Sequence, residues 1–127
     1  MARNKLVVTF EGDHVRVISD GEKDHYFQER LWDEVAATCQ KHDCYRVLGL
    51  AHTTVPLEIV DGYDTARMMR ERNISDKYRI AWVEYDDDAR EVIEFVETVL
   101  VNRGLPGRLF RDEASAKKWL FEGQVAG

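Results

Sequence analysis

The chain has 127 residues, with 18 Lys or Arg against 24 Asp or Glu, and a formal net charge of −6. Its length suits one domain with its own hydrophobic core. The acidic balance argues against non-specific binding of nucleic acid or anionic lipid, which both require a basic face. Two cysteines are too few for a disulfide framework, and we find neither a signal peptide nor a stretch as long as a membrane span. We therefore expect a soluble, cytoplasmic protein.

The first forty residues predict a β-hairpin followed by a helix. Two β-rich runs, residues 6–10 and 15–19, flank the turn Glu11-Gly12-Asp13. The segment HYFQERLWDEVAATCQKH then places apolar residues at four-residue spacing, which is typical of an amphipathic helix. We expect Asp24 to cap this helix. Its apolar stripe consists of Phe27, Leu31, Val35 and Cys39.

The rest of the chain alternates between strands and helices. YRVLGLA (45–51) and YRIAWVEY (78–85) predict buried strands, and GRLFRD predicts a short last strand. A second helix is expected to begin between Pro56 and Asp61. A third runs from the acidic cluster at 86–88 to Gly104, with an apolar face of Val92, Phe95, Val96 and Val99. A closing helix, DEASAKKWLF, is expected to be capped by Asp112.

The order β-β-α-β-α-β-α-β-α predicts a single α/β domain over residues 1–127. Its sheet should be mixed and mostly parallel, with four or five strands and right-handed crossovers.

Residues 78–120 carry a more specific pattern. An Arg-Ile-Ala-Trp-Val strand precedes a helix that ends in Asn-Arg-Gly, and the terminal helix spaces Ala116, Trp119 and Leu120. This pattern resembles the SpoIIAA-like branch of the STAS superfamily, and the element order extends the resemblance to nearly the whole chain. The resemblance implies a sheet with helices packed against it and no catalytic chemistry. We also expect no cofactor. It also implies a fold like that of lipid-carrying Sec14-type domains.

The stretch GLAHTTVPLE (49–58) occupies the place where typical STAS members carry a phosphorylated Ser or Thr within an Asp-Ser-Ser/Thr-Gly motif. Here the Asp and the Gly are missing. The functional interpretation makes Thr53 or Thr54, with Asp61, a phospho-acceptor or partner-contact site near a helix N-terminus. The alternative is a polar turn whose hydroxyls bond local backbone.

Catalysis and metal binding are disfavoured. Adjacent side chains in extended backbone point to opposite faces, so His52 is poorly placed to activate Thr53. The spacing of Cys39, His42, Asp43 and Cys44 matches no established zinc pattern. Helix capping and dipole stabilisation account for the acidic cluster at 86–88.

Two functions remain as hypotheses. The first is a non-enzymatic regulatory or protein-interaction module, with a regulator or kinase-type protein as partner. The alternative is a carrier of a small apolar, lipid-like ligand held between the sheet and the second helix. Candidate ligand contacts are Ile59, Tyr63 and Met69, since Met side chains adapt to loosely shaped apolar ligands. The sequence leaves the oligomeric state open.

Overall fold

The computed structural model describes residues 4–22, 24–55, 60–105 and 107–122. It confirms the predicted α/β class and element order. The elements are β1 (Asn4–Phe10), β2 (Val15–Glu22), α1 (His25–His42), β3 (Arg46–Val55), α2 (Val60–Glu71), β4 (Arg79–Glu84), α3 (Asp87–Asn102), β5 (Gly107–Phe110) and α4 (Glu113–Leu120).

The five strands form one sheet in the order β1-β2-β3-β4-β5. The opening hairpin makes β1 antiparallel to β2, and the remaining neighbours are parallel. From β2 onwards, each crossover places the next strand beside the previous one, always on the same side. Because such crossovers are right-handed, α1, α2 and α3 must lie on one face of the sheet. The closing helix α4 covers the other face.

Each face of the sheet has its own core. On the face of the three crossover helices, Val17 and Val47 pack with the predicted α1 stripe, including Leu31 and Val35. On the other face, residues of β3 and β4 pack against α4. That second core consists of Leu48, Leu50, Ala81, Val83, Ala116 and Leu120. Burial on both faces explains why these strands are almost continuously apolar.

Two predicted helix caps are confirmed. The Asp24 carboxylate accepts a hydrogen bond from the Phe27 N–H at 2.8 Å, and Asp112 accepts one from Ser115 at 2.7 Å. Each satisfies a backbone donor that the first helical turn leaves unpaired.

The apolar face of α3 is centred about one residue further along than predicted. Ile93, Val96, Val99 and Leu100 are buried, whereas Phe95 is half-buried. The side chain of Val92 lies outside the described part of the chain. The rotation of a helix about its axis depends on what it packs against, so periodicity alone misplaced the centre of this face.

Arginines from the sheet hold α4 in place. An isolated helix of eight residues is unstable in water, so this helix depends on tertiary contacts. Each of the strands β2 to β5 contributes one arginine beside it. These arginines are Arg16, 3.2 Å from the Glu113 carboxylate; Arg46, over the Phe121 ring; Arg79, which donates to the Trp119 carbonyl at 2.9 Å; and Arg108, 6.0 Å from the Trp119 ring.

We expect Gly49→Ala to destabilise the fold, because Trp82 lies directly over Gly49. A Cβ at residue 49 would sit only 2.0 Å from the Trp82 Cε3 atom. The expected loss is about 2–3 kcal/mol of unfolding free energy, measured by urea denaturation. In a Trp82→Leu background the same substitution should cost less. An equal cost in both backgrounds would contradict the packing explanation.

Candidate functional site

A cavity of about 60 Å³ lies between the sheet and the three crossover helices. We call it the apolar cavity, because most of its wall is hydrocarbon. The apolar side chains of its wall are Leu31, Trp32, Met69, Ile80, Trp82, Ile93, Val96, Leu100 and Leu109. They come from α1, α2, α3, β4 and β5, so the cavity forms only when all five elements are assembled.

Two close approaches shape this wall. The Trp82 ring rests on Gly49 and reaches the Trp32 ring, with 5.8 Å between the ring centroids. At the β5 edge, a Cβ on Gly107 would meet the Leu100 Cδ1 atom at 2.8 Å. Glycines at these two positions thus let large side chains lie close against the sheet.

The deep part of the apolar cavity contains two polar side chains. Gln28 of α1 is 4 % exposed and Thr65 of α2 is 5 % exposed. The Thr65 hydroxyl donates to the Gln28 Oε1 atom at 3.4 Å, which joins the two helices at this point. Both residues line the cavity.

The more exposed end of the apolar cavity lies between α3 and β5. Glu97 and Leu109 are half-buried there. The Glu97 Oε2 atom accepts a hydrogen bond from the Leu109 N–H at 2.5 Å. A carboxylate therefore satisfies a backbone donor of this edge strand, and Arg108 in the same wall adds a positive charge beside it.

An ion-pair network joins α1 to α2 beside the cavity. Arg72 lies 2.6 Å from the Glu29 carboxylate and 2.7 Å from that of Asp33, and Arg67 lies 3.2 Å from Glu29. The hydrogen bond from Arg72 holds the pKa of Glu29 below its ordinary value of 4.5. This network fixes the spacing of the two helices that carry Gln28 and Thr65.

The structure places one predicted ligand contact in the cavity. Met69 is 1 % exposed and forms part of the cavity wall. Tyr63 and Asp61 belong to α2, but their side chains lie outside the described part of the chain, and so does the whole of Ile59.

Thr53 and Thr54 lie in a strand, which differs from the predicted turn. β3 continues to Val55 because β2 is long enough to pair with it. Gly21 pairs with Thr53, and after a register shift Glu22 pairs with Val55. The threonine side chains lie outside the described part of the chain.

His52 of β3 stacks on an aromatic ring that directly follows the neighbouring strand β4. Its ring stacks on that of Tyr85, with 4.5 Å between centroids and 9° between planes. Both residues are exposed. This pair marks the carboxyl ends of β3 and β4 on the face that α4 covers.

The cysteines serve helix packing. Burial raises the pKa of the Cys39 thiol to about 12, so it stays neutral, whereas a metal ligand must be a thiolate. The Cys44 N–H donates to the Cys39 carbonyl at 3.1 Å and helps to end α1. Within residues 4–22, 24–55, 60–105 and 107–122, no three His, Cys, Asp or Glu residues are grouped to hold a metal ion.

A second cavity, of about 470 Å³, lies at the amino ends of β3 and β4. Arg46, Lys77 and Arg79 line it together with Asp13 and Asp43. Lys77 rests over the Tyr45 ring at 4.1 Å, and Arg79 stacks on Trp119 while bonding its carbonyl. Charges of both signs and these internal contacts give this cavity no clear ligand preference.

The polar pair Gln28 and Thr65 escaped the sequence prediction. Gln28 precedes Trp32 by four positions, and Thr65 precedes Met69 by four, so each lies on the buried face of its helix. A polar residue on the buried face of a helix was the sequence feature that could have identified this pair. Their meeting depends on how α1 packs against α2, which helical periodicity does not determine.

Comparison with protein-family models gives no match for this chain, and comparison with curated proteins gives none either. None of the helices that the structure describes has both the length and the hydrophobicity needed to span a membrane.

We expect Arg72→Met to lower the unfolding free energy by about 1–2 kcal/mol at neutral pH. The matched control is Arg70→Met, since Arg70 is exposed on the same helix with no ion pair among the described residues. The pKa of Glu29 is lower in the folded state than in the unfolded state. Its contribution to the unfolding free energy is therefore complete above pH 4.5 and is lost as the pH falls through the folded-state pKa. The difference between wild type and Arg72→Met, followed by urea denaturation, should therefore shrink in acid. A difference that is constant with pH would contradict this role for Glu29.

Proposed function

We propose that this protein is a non-enzymatic, SpoIIAA-like binding domain for a small apolar ligand held in the apolar cavity. The observation that carries the proposal is an unfilled space of about 60 Å³ with a mainly hydrocarbon wall, in the core on the face of the three crossover helices. The position also agrees with the place expected for such a ligand, between the sheet and α2.

The energetics favour an occupant. Apolar side chains that line an unfilled space lack packing contacts on that side, so an apolar occupant would stabilise the fold. Met69 in the wall adds adaptability, because its unbranched side chain can adjust to ligands of different shape. Filling the space would recover much of the lost packing.

Ordered water is a weaker candidate for the occupant. A buried water needs two to four polar partners, and deep in this cavity only Gln28 and Thr65 are available among the described side chains. The remaining deep wall is apolar, so several waters placed there would lack hydrogen bonds.

The cavity chemistry supports binding without catalysis. An amide and a hydroxyl at the deep end can orient a ligand, but neither is a proton-transfer group at neutral pH. The nearest carboxylate in the wall, Glu97, is committed to the Leu109 N–H. The described wall therefore offers contacts for recognition and no base–nucleophile pair.

We expect Val96→Phe to abolish ligand binding while preserving or raising the melting temperature, because the larger ring fills the apolar cavity. The probe is xenon, a single apolar atom that suits a space of about 60 Å³. Binding is followed by the chemical shift of dissolved xenon. Native mass spectrometry of the freshly purified wild type should also show a bound apolar molecule.

The matched control is Val101→Phe, which makes the same change at a residue of α3 that is 43 % exposed. It should bind xenon as the wild type does. If the wild type fails to bind this probe and also purifies without ligand, the carrier proposal is wrong.

A second candidate function, a regulatory or protein-interaction module, is favoured by the exposed His52–Tyr85 stack. Flat aromatic surface is common where proteins meet partners. The stack lies beside Thr53 in sequence, at the place suggested by the resemblance to STAS proteins. Phosphorylation there would add negative charge next to an aromatic contact surface.

On this second candidate we expect Thr53 or Thr54 to acquire phosphate when the protein is incubated with host lysate and ATP. Mass spectrometry of the peptide containing both residues detects the modification, and a Thr53→Ala, Thr54→Ala double variant provides the negative control. An unmodified peptide from the wild type would count against a switch at this strand end.

A further inference from the structure

We propose that the open edge of β1 pairs with the β1 edge of a second copy of this chain. The two strands run antiparallel about a twofold axis at Val7, so that one sheet continues through both copies. No residue of β1 lines the apolar cavity, so this interface is independent of the proposed ligand-binding function.

The register of the opening hairpin determines which backbone groups of β1 face away from the sheet. Residue pairs of an antiparallel ladder alternate between hydrogen-bonded and non-hydrogen-bonded pairs. The Glu11 N–H donates to the His14 carbonyl at 2.8 Å, and the ladder continues without a bulge along the whole of β1. The odd-numbered residues of β1 therefore bond β2. The residues whose N–H and C=O groups face outward are Asn4, Leu6, Val8 and Phe10.

These outward groups are open to a partner strand. No side chain or loop of residues 4–22, 24–55, 60–105 or 107–122 forms a hydrogen bond with them. β1 is seven residues long and contains no proline. A long, regular edge strand with unpaired donors and acceptors is a template for pairing with another strand.

The opposite edge of the sheet is protected. β5 has four residues, and charged side chains bond two of its outward backbone groups. Glu97 accepts from the Leu109 N–H, and Arg108 donates to the Gly107 carbonyl at 3.0 Å. Pairing between copies is therefore expected to join β1 to β1. An interface in which both copies use the same strand closes at two copies.

The side chains of β1 favour this antiparallel arrangement. With the axis at Val7, all four outward residues of one copy pair with those of the other, and Leu6 lies opposite Val8 of the second copy. On the other face of the strand, the exposed Lys5 lies diagonal to the exposed Glu11 of the second copy. A parallel arrangement in register would instead place Lys5 beside Lys5, which is unfavourable.

The first test is sedimentation equilibrium of the wild type and of Val7→Lys. We expect the wild type to form a dimer. We expect Val7→Lys to weaken dimerisation by about tenfold or more, because it places two ammonium groups opposite each other at the axis. Val101→Lys is the matched control, since it makes the same change at a residue of α3 that is 43 % exposed. It should dimerise as the wild type does.

Val7→Cys tests the register without a change of charge. The Cα atoms of non-hydrogen-bonded antiparallel partners lie about 4.5 Å apart, which is within the range that a disulfide can bridge. Oxidised glutathione should therefore give a covalent dimer of this variant. The reaction consumes two thiols and one oxidised glutathione, and it yields one protein disulfide and two molecules of reduced glutathione. Val101→Cys, with the same native cysteines, should remain without this cross-link.

Each result decides the proposal. A wild type that remains monomeric up to about 1 mM would overturn it and leave this edge for a strand of a different protein. A dimer that is unaffected by Val7→Lys, or that Val7→Cys fails to cross-link, would use another surface, and the proposal would be wrong. Dimerisation that is weakened by Val7→Lys and trapped by Val7→Cys supports the β1 interface. None of these results depends on the occupant of the apolar cavity.

Discussion

The handedness of strand crossovers is the constraint on which this structure depends. From β2 onwards each new strand is added on the same side of the last, and right-handed connections then send α1, α2 and α3 to one face. Three helices must share a sheet face that narrows to the four residues of β5. The apolar cavity lies at this narrow end, where the helices bridge toward a short edge strand.

The opposite face illustrates how little helix is needed once the strands supply the contacts. The eight residues of α4 bury Ala116 and Leu120 in the second core. Arginines from four successive strands then approach the helix or the residue after it, and Arg79 occupies one of its terminal carbonyls. Cationic groups at a helix C-terminus also interact favourably with the helix dipole. No residue of α4 is among those that line the apolar cavity on the first face.

Glycines and large aromatic rings together shape the cavity. Gly49 permits the Trp82 ring to lie on the sheet, and Gly107 permits Leu100 to approach β5. Trp82 and Leu100 both form part of the wall of the apolar cavity. Gln28 and Thr65 add a buried polar pair to a wall that is otherwise mainly hydrocarbon.

The amino-acid sequence by itself determined the element order, the α/β class and the caps Asp24 and Asp112, because periodicity, strand composition and capping are local properties. It also indicated Met69 as a cavity residue. Tertiary structure alone decided that β3 extends through His52 to Val55, since this requires pairing with the end of β2. It alone decided the rotation of α3 that buries Ile93 and Leu100 and leaves Phe95 half-buried, and that Gln28 meets Thr65 beside an unfilled space. These features arise from contacts between residues far apart in the chain, and such contacts depend on the packing of whole elements, which local patterns do not specify.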